Sequence, residues 1–238
     1  IAVGNGNAIV RTDDRGLTWR EITHRPFMTG IKELQVITPT RWVGVTGLGY
    51  VFLTTDGGES FISSRPGYGF DGMYDQGSIS FTDSLNGIIR FINDSEELYL
   101  HSTQDGGVNW TRIIVPLVDH CLQAVMFPGN IILQATTHEI LRSTNMGTTW
   151  ATVFPMKVSG FFKFNDSIAI ITTAADSIFR TTDKGITWQT MGMVHSHIEP
   201  LGMTRLNDGT VFHFHPSLRV LSISTDTCKS FNDIKNLP

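Results

Sequence analysis

The sequence predicts an all-β protein, a β-propeller of about six four-stranded blades. Three observations predict it. A short acidic motif recurs six times at intervals of 38 to 49 residues, close to the length of one propeller blade. Short apolar stretches with an alternating pattern lie between the motifs, separated by glycine and polar breaks. The composition is rich in glycine (23 of 238 residues) and phenylalanine (15), which favours strands and tight turns over helices.

The repeated motif is built around one acidic position. The stretch "RTTDKGITW" contains one copy, and the acidic positions of the six copies are Asp14, Asp56, Asp105, Asn145, Asp183 and Asp226. A carboxylate two residues after a threonine can accept hydrogen bonds from N–H groups of its own turn, and the following glycine supplies a positive φ. The aromatic residue that ends the motif begins the next strand and buries a large surface. We therefore expect these six residues to be structural rather than catalytic.

The strands follow in order along the chain, and each motif joins the third and fourth strands of its unit. The first unit opens at "IAVGNG", which is predicted as a second strand, so this unit lacks an innermost strand. The second unit contains "IKELQVIT", "RWVGVTG", "YVFLTT" and "SFISS", and the third contains "GSISFTD", "NGIIRFIN", "LYLHST" and "NWTRII". Alternating apolar residues and short polar breaks support each division.

The last three units follow the same plan. They contain "DHCLQAVMF", "NIILQAT", "EILRST" and "TWATVF", then "VSGFFKF", "SIAIITTA", "SIFRTT" and "TWQTM", and finally "IEPLGMTRL", "GTVFHFH", "RVLSIST" and "KSFNDI". Only "KNLP" follows, so two alternatives stay open: a six-bladed ring with a weak first blade, or part of a longer propeller. We predict a single propeller domain over residues 1–238.

The motif resembles the Asp-box, or BNR repeat, written Ser/Thr-x-Asp-x-Gly-x-Thr-Trp, and the resemblance covers nearly the whole chain. Departures from the pattern include Asn145 in place of the aspartate, Cys228 in place of the glycine, and Phe61 and Phe231 in place of the tryptophan. The single-propeller repeats are similar to those of the photosystem II assembly factor family and, more distantly, of the sortilin ectodomain. Both are binding proteins. The resemblance implies a protein that acts outside the cytoplasm, either extracellular, periplasmic or at the cell surface.

The Asp-boxes are also similar to those of sialidases, so an enzymatic function has to be weighed. Sialidases carry an Arg-Ile-Pro motif, three arginines that bind the substrate carboxylate, and a Tyr/Glu nucleophile pair, and Arg-Ile-Pro is absent from this sequence. Asp-box xyloglucanases bury their substrate between two propellers. We therefore expect a non-catalytic binding or scaffold module without a cofactor. The alternative is a glycoside hydrolase with acids from Asp71, Asp75, Asp119 or Asp176.

Charge and cysteine content restrict the partners. The formal net charge is −4 and lysine and arginine form no cluster, which argues against a nucleic-acid partner. No apolar run of about 18 residues occurs, so we expect no membrane insertion. The two cysteines, Cys121 and Cys228, belong to units two repeats apart and are predicted to stay unpaired. The expected partner is a protein, peptide or glycan.

The connections opposite the motifs are the expected binding face. The longest is "SRPGYGFDGMYDQG" (Ser64–Gly77), which mixes aromatic, acidic and glycine residues as sugar- and peptide-binding surfaces do. An insertion that packs over the channel mouth is the alternative. Histidines of the last three blades lie in or near the same face, and "HFH" has a spacing that metals use, but no carboxylate accompanies it, so we predict no metal site. The candidate ligand-binding residues are Arg65, Tyr68, Phe70, Asp71, Tyr74, Asp75, His120, His138, His195, His197, His213 and His215.

Overall fold

The structure, a computed structural model, describes most of the chain. The described residues are 1–3, 8–22, 30–66, 74–93, 98–116, 121–136, 138–173, 177–193, 203–205, 208–215, 220–227, 229–230 and 232–234. All of their regular secondary structure is β-strand. No helix of a length and apolar character suited to crossing a membrane is found among them.

The strands form one three-stranded sheet and five four-stranded sheets, and the strand pairs with a defined register are antiparallel. The first sheet contains β1 (Ala2–Val3), β2 (Ile9–Arg11) and β3 (Arg20–Glu21). The second contains β4 (Ile31–Val36), β5 (Trp42–Thr46), β6 (Val51–Thr54) and β7 (Ile62–Ser64). The third contains β8 (Tyr74–Phe81), β9 (Gly87–Asn93), β10 (Leu98–Thr103) and β11 (Thr111–Ile113).

The remaining three sheets have the same sequential strand order. They contain β12 (Cys121–Phe127), β13 (Ile131–Thr136), β14 (Ile140–Ser143) and β15 (Ala151–Phe154), then β16 (Val158–Lys163), β17 (Ala169–Thr173), β18 (Ser177–Thr181) and β19 (Gln189–Met193), and finally β20 (Met203–Arg205), β21 (Val211–His215), β22 (Val220–Ser224) and β23 (Asn232–Ile234). The prediction of an all-β chain made of four-stranded antiparallel sheets is confirmed.

The chain divides into two compact units. The first comprises residues 1–132 and 143–150, and the second comprises residues 133–142 and 151–238. The first three sheets lie in the first unit, and the last two sheets lie in the second.

The six motif turns, residues 12–18, 54–60, 103–109, 143–149, 181–187 and 224–230, are numbered here from first to sixth. In the fifth turn, between β18 and β19, Thr181 Oγ1 donates to Asp183 Oδ1 at 2.8 Å. Asp183 Oδ1 also accepts the Thr187 N–H at 2.9 Å, and its Oδ2 accepts the Thr187 hydroxyl at 2.6 Å. At the other five acidic positions Oδ1 likewise accepts a Thr or Ser hydroxyl from two residues before and an N–H from four residues after. The second oxygen accepts a hydroxyl in the first, second and sixth turns and Asn109 Nδ2 in the third. In the fourth turn, Asn145 Nδ2 instead donates to Thr149 Oγ1.

The residue that follows each motif acid has a left-handed backbone. Its φ is +77° at Gly57 and Gly106, where glycine makes this conformation free of strain. Four turns place a side chain there instead, with φ between +57° and +63°, at Arg15, Met146, Lys184 and Thr227. A side chain in this region costs about 1–2 kcal/mol. The motif geometry is therefore maintained against local strain in most of its copies.

An arginine links most neighbouring motif turns, and we call this contact an arginine latch. Arg11 Nη1 donates to the Gly57 carbonyl of the second turn at 2.9 Å, and Arg41 Nη2 donates to the Gly106 carbonyl of the third turn at 2.7 Å. Two further latches join Arg142 Nε to the Lys184 carbonyl at 3.0 Å and Arg180 Nε to the Thr227 carbonyl at 3.2 Å. Each latch supplies a hydrogen-bond donor to the carbonyl of the left-handed residue.

Polar side chains of the first strands also cap the free edge of the next first strand. Glu33 Oε2 accepts the Ile79 N–H at 3.0 Å, and Gln35 Oε1 accepts the Phe81 N–H at 2.8 Å. These bonds occupy edge N–H groups of β8 that would otherwise template unwanted strand pairing. Ser80 Oγ similarly accepts the N–H of Met126 in β12 at 2.9 Å.

The core of the first unit lies between neighbouring sheets. Val43 and Val45 of β5 pack with Ile79, Ile89 and Phe91 of the third sheet, all of them buried. Trp42 and Phe52 are fully buried in a second cluster on the other side of the second sheet. The second unit has its own cluster around Phe164, Ile170, Ile178 and Val211. Packing of apolar side chains on both faces explains why the middle strands carry apolar residues at nearly every position.

Two sequence-based expectations about side chains and strand limits need correction. The tryptophans of the motif do not all bury their rings: Trp19 is 50% exposed, and its indole N–H instead donates to the Gly16 carbonyl at 3.1 Å. The connection predicted to run to Gly77 ends earlier, because β8 already begins at Tyr74. A register shift between Tyr74 and Gln76 lets these extra residues pair with the end of β9.

Candidate functional site

The structure describes only part of the predicted binding loop. Tyr68, Phe70 and Asp71 lie outside the described residues, and Tyr74 and Asp75 lie in strand β8 instead of in a loop. The partly exposed Arg65 directly follows β7, and its guanidinium carbon lies 5.4 Å from the centre of the Tyr50 ring. Tyr50 follows the turn between β5 and β6, so two connections of one sheet meet in a cation–π contact. Tyr50 was not singled out by the sequence.

The predicted histidines are not brought together by the described part of the structure. His120, His195 and His197 lie outside the described residues, as do the candidate acids Asp119 and Asp176. His213 and His215 occupy alternate positions of β21. His138 is exposed in the turn between β13 and β14, where its N–H donates to Thr136 Oγ1 at 3.2 Å. Among the described residues, no group of three or more His, Cys, Asp or Glu side chains is arranged to hold a metal ion.

A carboxyl group that sequence reasoning missed lies on β4. Burial raises the pKa of Glu33 above its usual value of 4.5, while the hydrogen bond from Ile79 and the positive charge of Arg90 act in the opposite direction. Arg90 is itself 4% exposed on the neighbouring β9. A carboxyl group with a raised pKa is a candidate proton donor. The sequence signal was a pair of polar residues, Glu33 and Gln35, at alternate positions of a first strand, and it identifies them as side chains of one face.

Replacing Glu33 with glutamine is expected to stabilise the protein relative to wild type as the pH rises above 4.5. The folded state of the wild type disfavours the ionised carboxylate, so its stability is lost as the pH increases through the raised pKa. Glutamine keeps an oxygen acceptor for the Ile79 N–H and cannot ionise. Urea unfolding of both proteins at several pH values between 4 and 8 measures the effect. A stability difference that is independent of pH would contradict the assignment.

A second buried titratable group is His101 of β10. It is 3% exposed, and its Nδ1 accepts and donates no hydrogen bond in the described structure. Burial, together with the charge of Arg112, lowers the pKa of His101 from 6.5 to about 4. The imidazole is therefore neutral at physiological pH. The sequence context "LYLHST" gives no sign of this, because a histidine in an apolar strand can lie on either face.

The motif acids have lowered pKa values, whereas a catalytic proton donor needs a raised pKa. Hydrogen bonds from the Thr18 hydroxyl and N–H, with one from Thr12, lower the pKa of Asp14 to about 2. The pKa of Asp226 is about 2 as well, with the Ser230 hydroxyl as its main hydrogen-bond donor. Such carboxylates are ionised and fully occupied by their own turns. They can fix a hairpin, and they cannot donate a proton near neutral pH.

A cavity of about 430 Å³ opens between the third and fourth motif turns. Its volume is in the range of small-ligand sites. The residues that line it and matter for its chemistry are Ser102, Gln104, Asp105, Asn109, Met146 and Thr148. Burial alone would raise the pKa of Asp105, but hydrogen bonds from Asn109, Thr103 and Val108 lower it to about 2. The wall of the cavity thus carries one negative charge among neutral amides and hydroxyls.

The architecture is that of a β-propeller, as comparison with solved structures shows. YCF48 bound to a D1 peptide superposes with a TM-score of 0.61 at 14% identity, over 88% of this chain and 68% of that chain. YCF48 from Cyanidioschyzon merolae gives the same TM-score of 0.61 and identity of 14%, over 88% and 73% of the two chains. The sequence matches no protein-family model and no curated protein.

Two enzymes share the fold. The GH74 xyloglucanase from Xanthomonas campestris has a TM-score of 0.64 at 12% identity, over 93% of this chain and 40% of the xyloglucanase chain. A catalytically inactive virginiamycin B lyase from Staphylococcus aureus, with quinupristin, has a TM-score of 0.70 at 14% identity, over 98% and 82% of the two chains. At these identities the likeness establishes the fold alone, because one propeller fold carries unrelated activities.

Proposed function

We propose that this chain is a non-catalytic binding module that holds a peptide segment of a protein partner. In this proposal the chain is a single propeller of about six blades, each with an Asp-box in the turn between its third and fourth strands. The partner binds on the face opposite these turns, for which the sequence predicts the connection Ser64–Gly77 and the histidine-containing connections. The proposal includes a glycan as a possible type of ligand. It also includes a location that is extracellular, periplasmic or at the cell surface.

The observation that carries the proposal is the occupation of the motif acids by their own turns. The hydroxyl and N–H donors around Asp14, Asp56, Asp105, Asp183 and Asp226 leave no free acid or base at the repeated positions. A glycoside hydrolase needs two carboxyl groups about 5–9.5 Å apart, one of them with a raised pKa. In the part of the chain that the structure describes, Glu33 is the carboxyl group whose pKa is raised.

Two further points support peptide binding. The contact between Arg65 and Tyr50 supplies an aromatic ring and a guanidinium at one position, and such residues dominate binding energy at interfaces. YCF48, which has the same fold, is seen with a bound D1 peptide. A rigid propeller needs little rearrangement to receive an extended peptide, which lowers the entropic cost of association.

A peptide phage-display selection against the purified chain tests the proposal. We expect enriched peptides to bind wild type and to bind the double variant Tyr50→Ala, Arg65→Ala about tenfold more weakly, because truncating interface hot spots costs more than about 1 kcal/mol. Leu17→Ser is the matched control, since Leu17 is 86% exposed on the first motif turn. Its binding is expected to equal that of wild type in isothermal titration calorimetry.

Two results of this experiment would contradict the binding proposal. Failure to enrich any peptide, or equal affinity of the double variant, would overturn the binding proposal. The hydrolase alternative is favoured by the raised pKa of Glu33 and predicts sugar release from xyloglucan or aryl-glycosides. If sugar release is observed and is lost in Glu33→Gln, or in the double variant Asp71→Asn, Asp75→Asn, the hydrolase function replaces the binding function.

A further inference from the structure

The cavity between the third and fourth motif turns is the position of a missing arginine latch. Arginine stands three residues before the motif acid in the first, fourth and fifth repeats, at Arg11, Arg142 and Arg180. Each of these arginines donates to the next left-handed carbonyl along the chain. In the second repeat Leu53 occupies this position, and Arg41 reaches the next turn instead. In the third repeat the position is Ser102, whose side chain is too short to span the gap.

The groups that a latch would contact remain without partners at this place. The Met146 carbonyl, which is equivalent to the latched carbonyls of Gly57 and Lys184, accepts no hydrogen bond from the described part of the chain. Ser102 is 7% exposed and lines the cavity, and its hydroxyl likewise has no bonding partner among the described residues. Both groups point to an external donor and acceptor.

The surroundings match a guanidinium group. In the first repeat, Arg11 Nε donates to Asp13 at 2.7 Å in addition to its bond with the Gly57 carbonyl. The exposed Gln104 holds the position of Asp13 in the third repeat and lines the cavity, and its carboxamide supplies an acceptor oxygen. Asn109 Nδ2 is held by Asp105 Oδ2 at 2.8 Å, which leaves Asn109 Oδ1 as a further acceptor.

We propose that this cavity binds the side chain of an arginine supplied by a protein partner, in the place of the absent latch. The guanidinium donates to the Met146 carbonyl and to the carboxamide oxygen of Gln104, and the Ser102 hydroxyl completes the set of acceptors. Its five N–H donors lie in one plane and can serve several fixed acceptors at once, which the single point charge of a lysine does not do. The ionised Asp105 favours a cation over a neutral ligand.

This site lies among the motif turns and is separate from the loop face of the proposed function. It does not depend on that function, because a single amino-acid derivative can occupy it. Binding of the probe described below can succeed when peptide binding at Tyr50 and Arg65 fails, and the reverse also holds. The two proposals are therefore distinguished by their own readouts.

Titration with N-acetyl-arginine amide tests the proposal, followed by NMR of the chain with ¹³C-labelled methionine methyl groups. We expect a saturable shift of the Met146 methyl signal, assigned with Met146→Leu, at millimolar probe. N-acetyl-citrulline amide has nearly the same shape without the charge and is expected to bind at least about tenfold more weakly than the arginine probe. Equal shifts with both probes, or no shift with the arginine probe, would overturn the proposal.

Filling the cavity from within the chain provides the matched variants. Ser102→Arg recreates the latch, so we expect a higher thermal unfolding midpoint and loss of the arginine-probe shift. Thr182→Arg adds the same charge at an exposed position of the fifth motif turn and should bind the probe as wild type does. If circular dichroism shows that Ser102→Arg does not fold, Gln104→Lys at the exposed mouth of the cavity is used instead and is expected to weaken binding of the arginine probe. Unchanged probe binding in Ser102→Arg or Gln104→Lys would refute the site.

Discussion

Replacing Gly106 with alanine is expected to destabilise the protein by about 2–5 kcal/mol. Two independent costs add. The residue has φ = +77°, which costs a side chain about 1–2 kcal/mol. The new Cβ would also overlap Nη2 of Arg41 and lie 2.5 Å from the Ser84 carbonyl oxygen, and overpacking of this kind costs about 1–3 kcal/mol. Urea unfolding followed by tryptophan fluorescence measures the difference in the free energy of unfolding.

Gly129→Ala is the matched control for the backbone part of this effect. Gly129 has φ = +91°, and nothing lies within 4 Å of the Cβ position. Its substitution should cost only the conformational strain, about 1–2 kcal/mol. Arg41→Ala in the Gly106→Ala background should recover part of the excess, because the guanidinium that the methyl group meets is then absent. Equal costs at Gly106 and Gly129 would mean that the arginine latch does not constrain the third turn.

The motif turns were predictable from the sequence because every contact that defines them is local. Thr181, Asp183 and Thr187 lie within seven residues of one another, so their hydrogen bonds follow from the motif itself. The four-stranded sheets followed from the same regular spacing. The first residue of strand β8 was harder to predict from the sequence. The pairing of Tyr74 with Asn93 depends on a register shift, and no local sequence pattern indicates that shift.

The latches and the buried ionisable groups were beyond sequence reasoning for a different reason. Arg180 and the Thr227 carbonyl are 47 residues apart, so the recurring arginine before the acid had no visible partner. The pKa of Glu33 is similarly raised by burial and opposed by Ile79 and Arg90, which both belong to another sheet. Such properties arise from the packing of one sheet on the next. The same holds for Ser102. That it stands where other repeats have a latch arginine becomes evident only when the contacts of those arginines are known.

Stability is expected to fall by about 3 kcal/mol as the pH is lowered from 7 to 4, because of His101. The pKa of His101 is lowered from 6.5 to about 4 in the folded state, first by burial and then by the charge of Arg112. The folded state therefore binds fewer protons than the unfolded state between these values. The stability that the neutral imidazole contributes is fully present above pH 6.5, decreases as the pH falls, and is gone below about pH 4.

Comparing wild type with His101→Leu isolates this contribution from the carboxyl groups that also titrate in acid. Leucine places an apolar side chain of similar size in the strand and removes the buried Nδ1, which has no hydrogen-bond partner in the described structure. The variant is expected to lose less stability than wild type between pH 7 and 4, by about the same 3 kcal/mol, in chemical unfolding at each pH. Arg112→Met should raise the pKa of His101 in NMR titration and reduce the slope only in part, because burial is the larger cause. A variant with the wild-type pH dependence would show that the imidazole is hydrated in the folded protein, since only contact with water would let it take up a proton at no cost to folding.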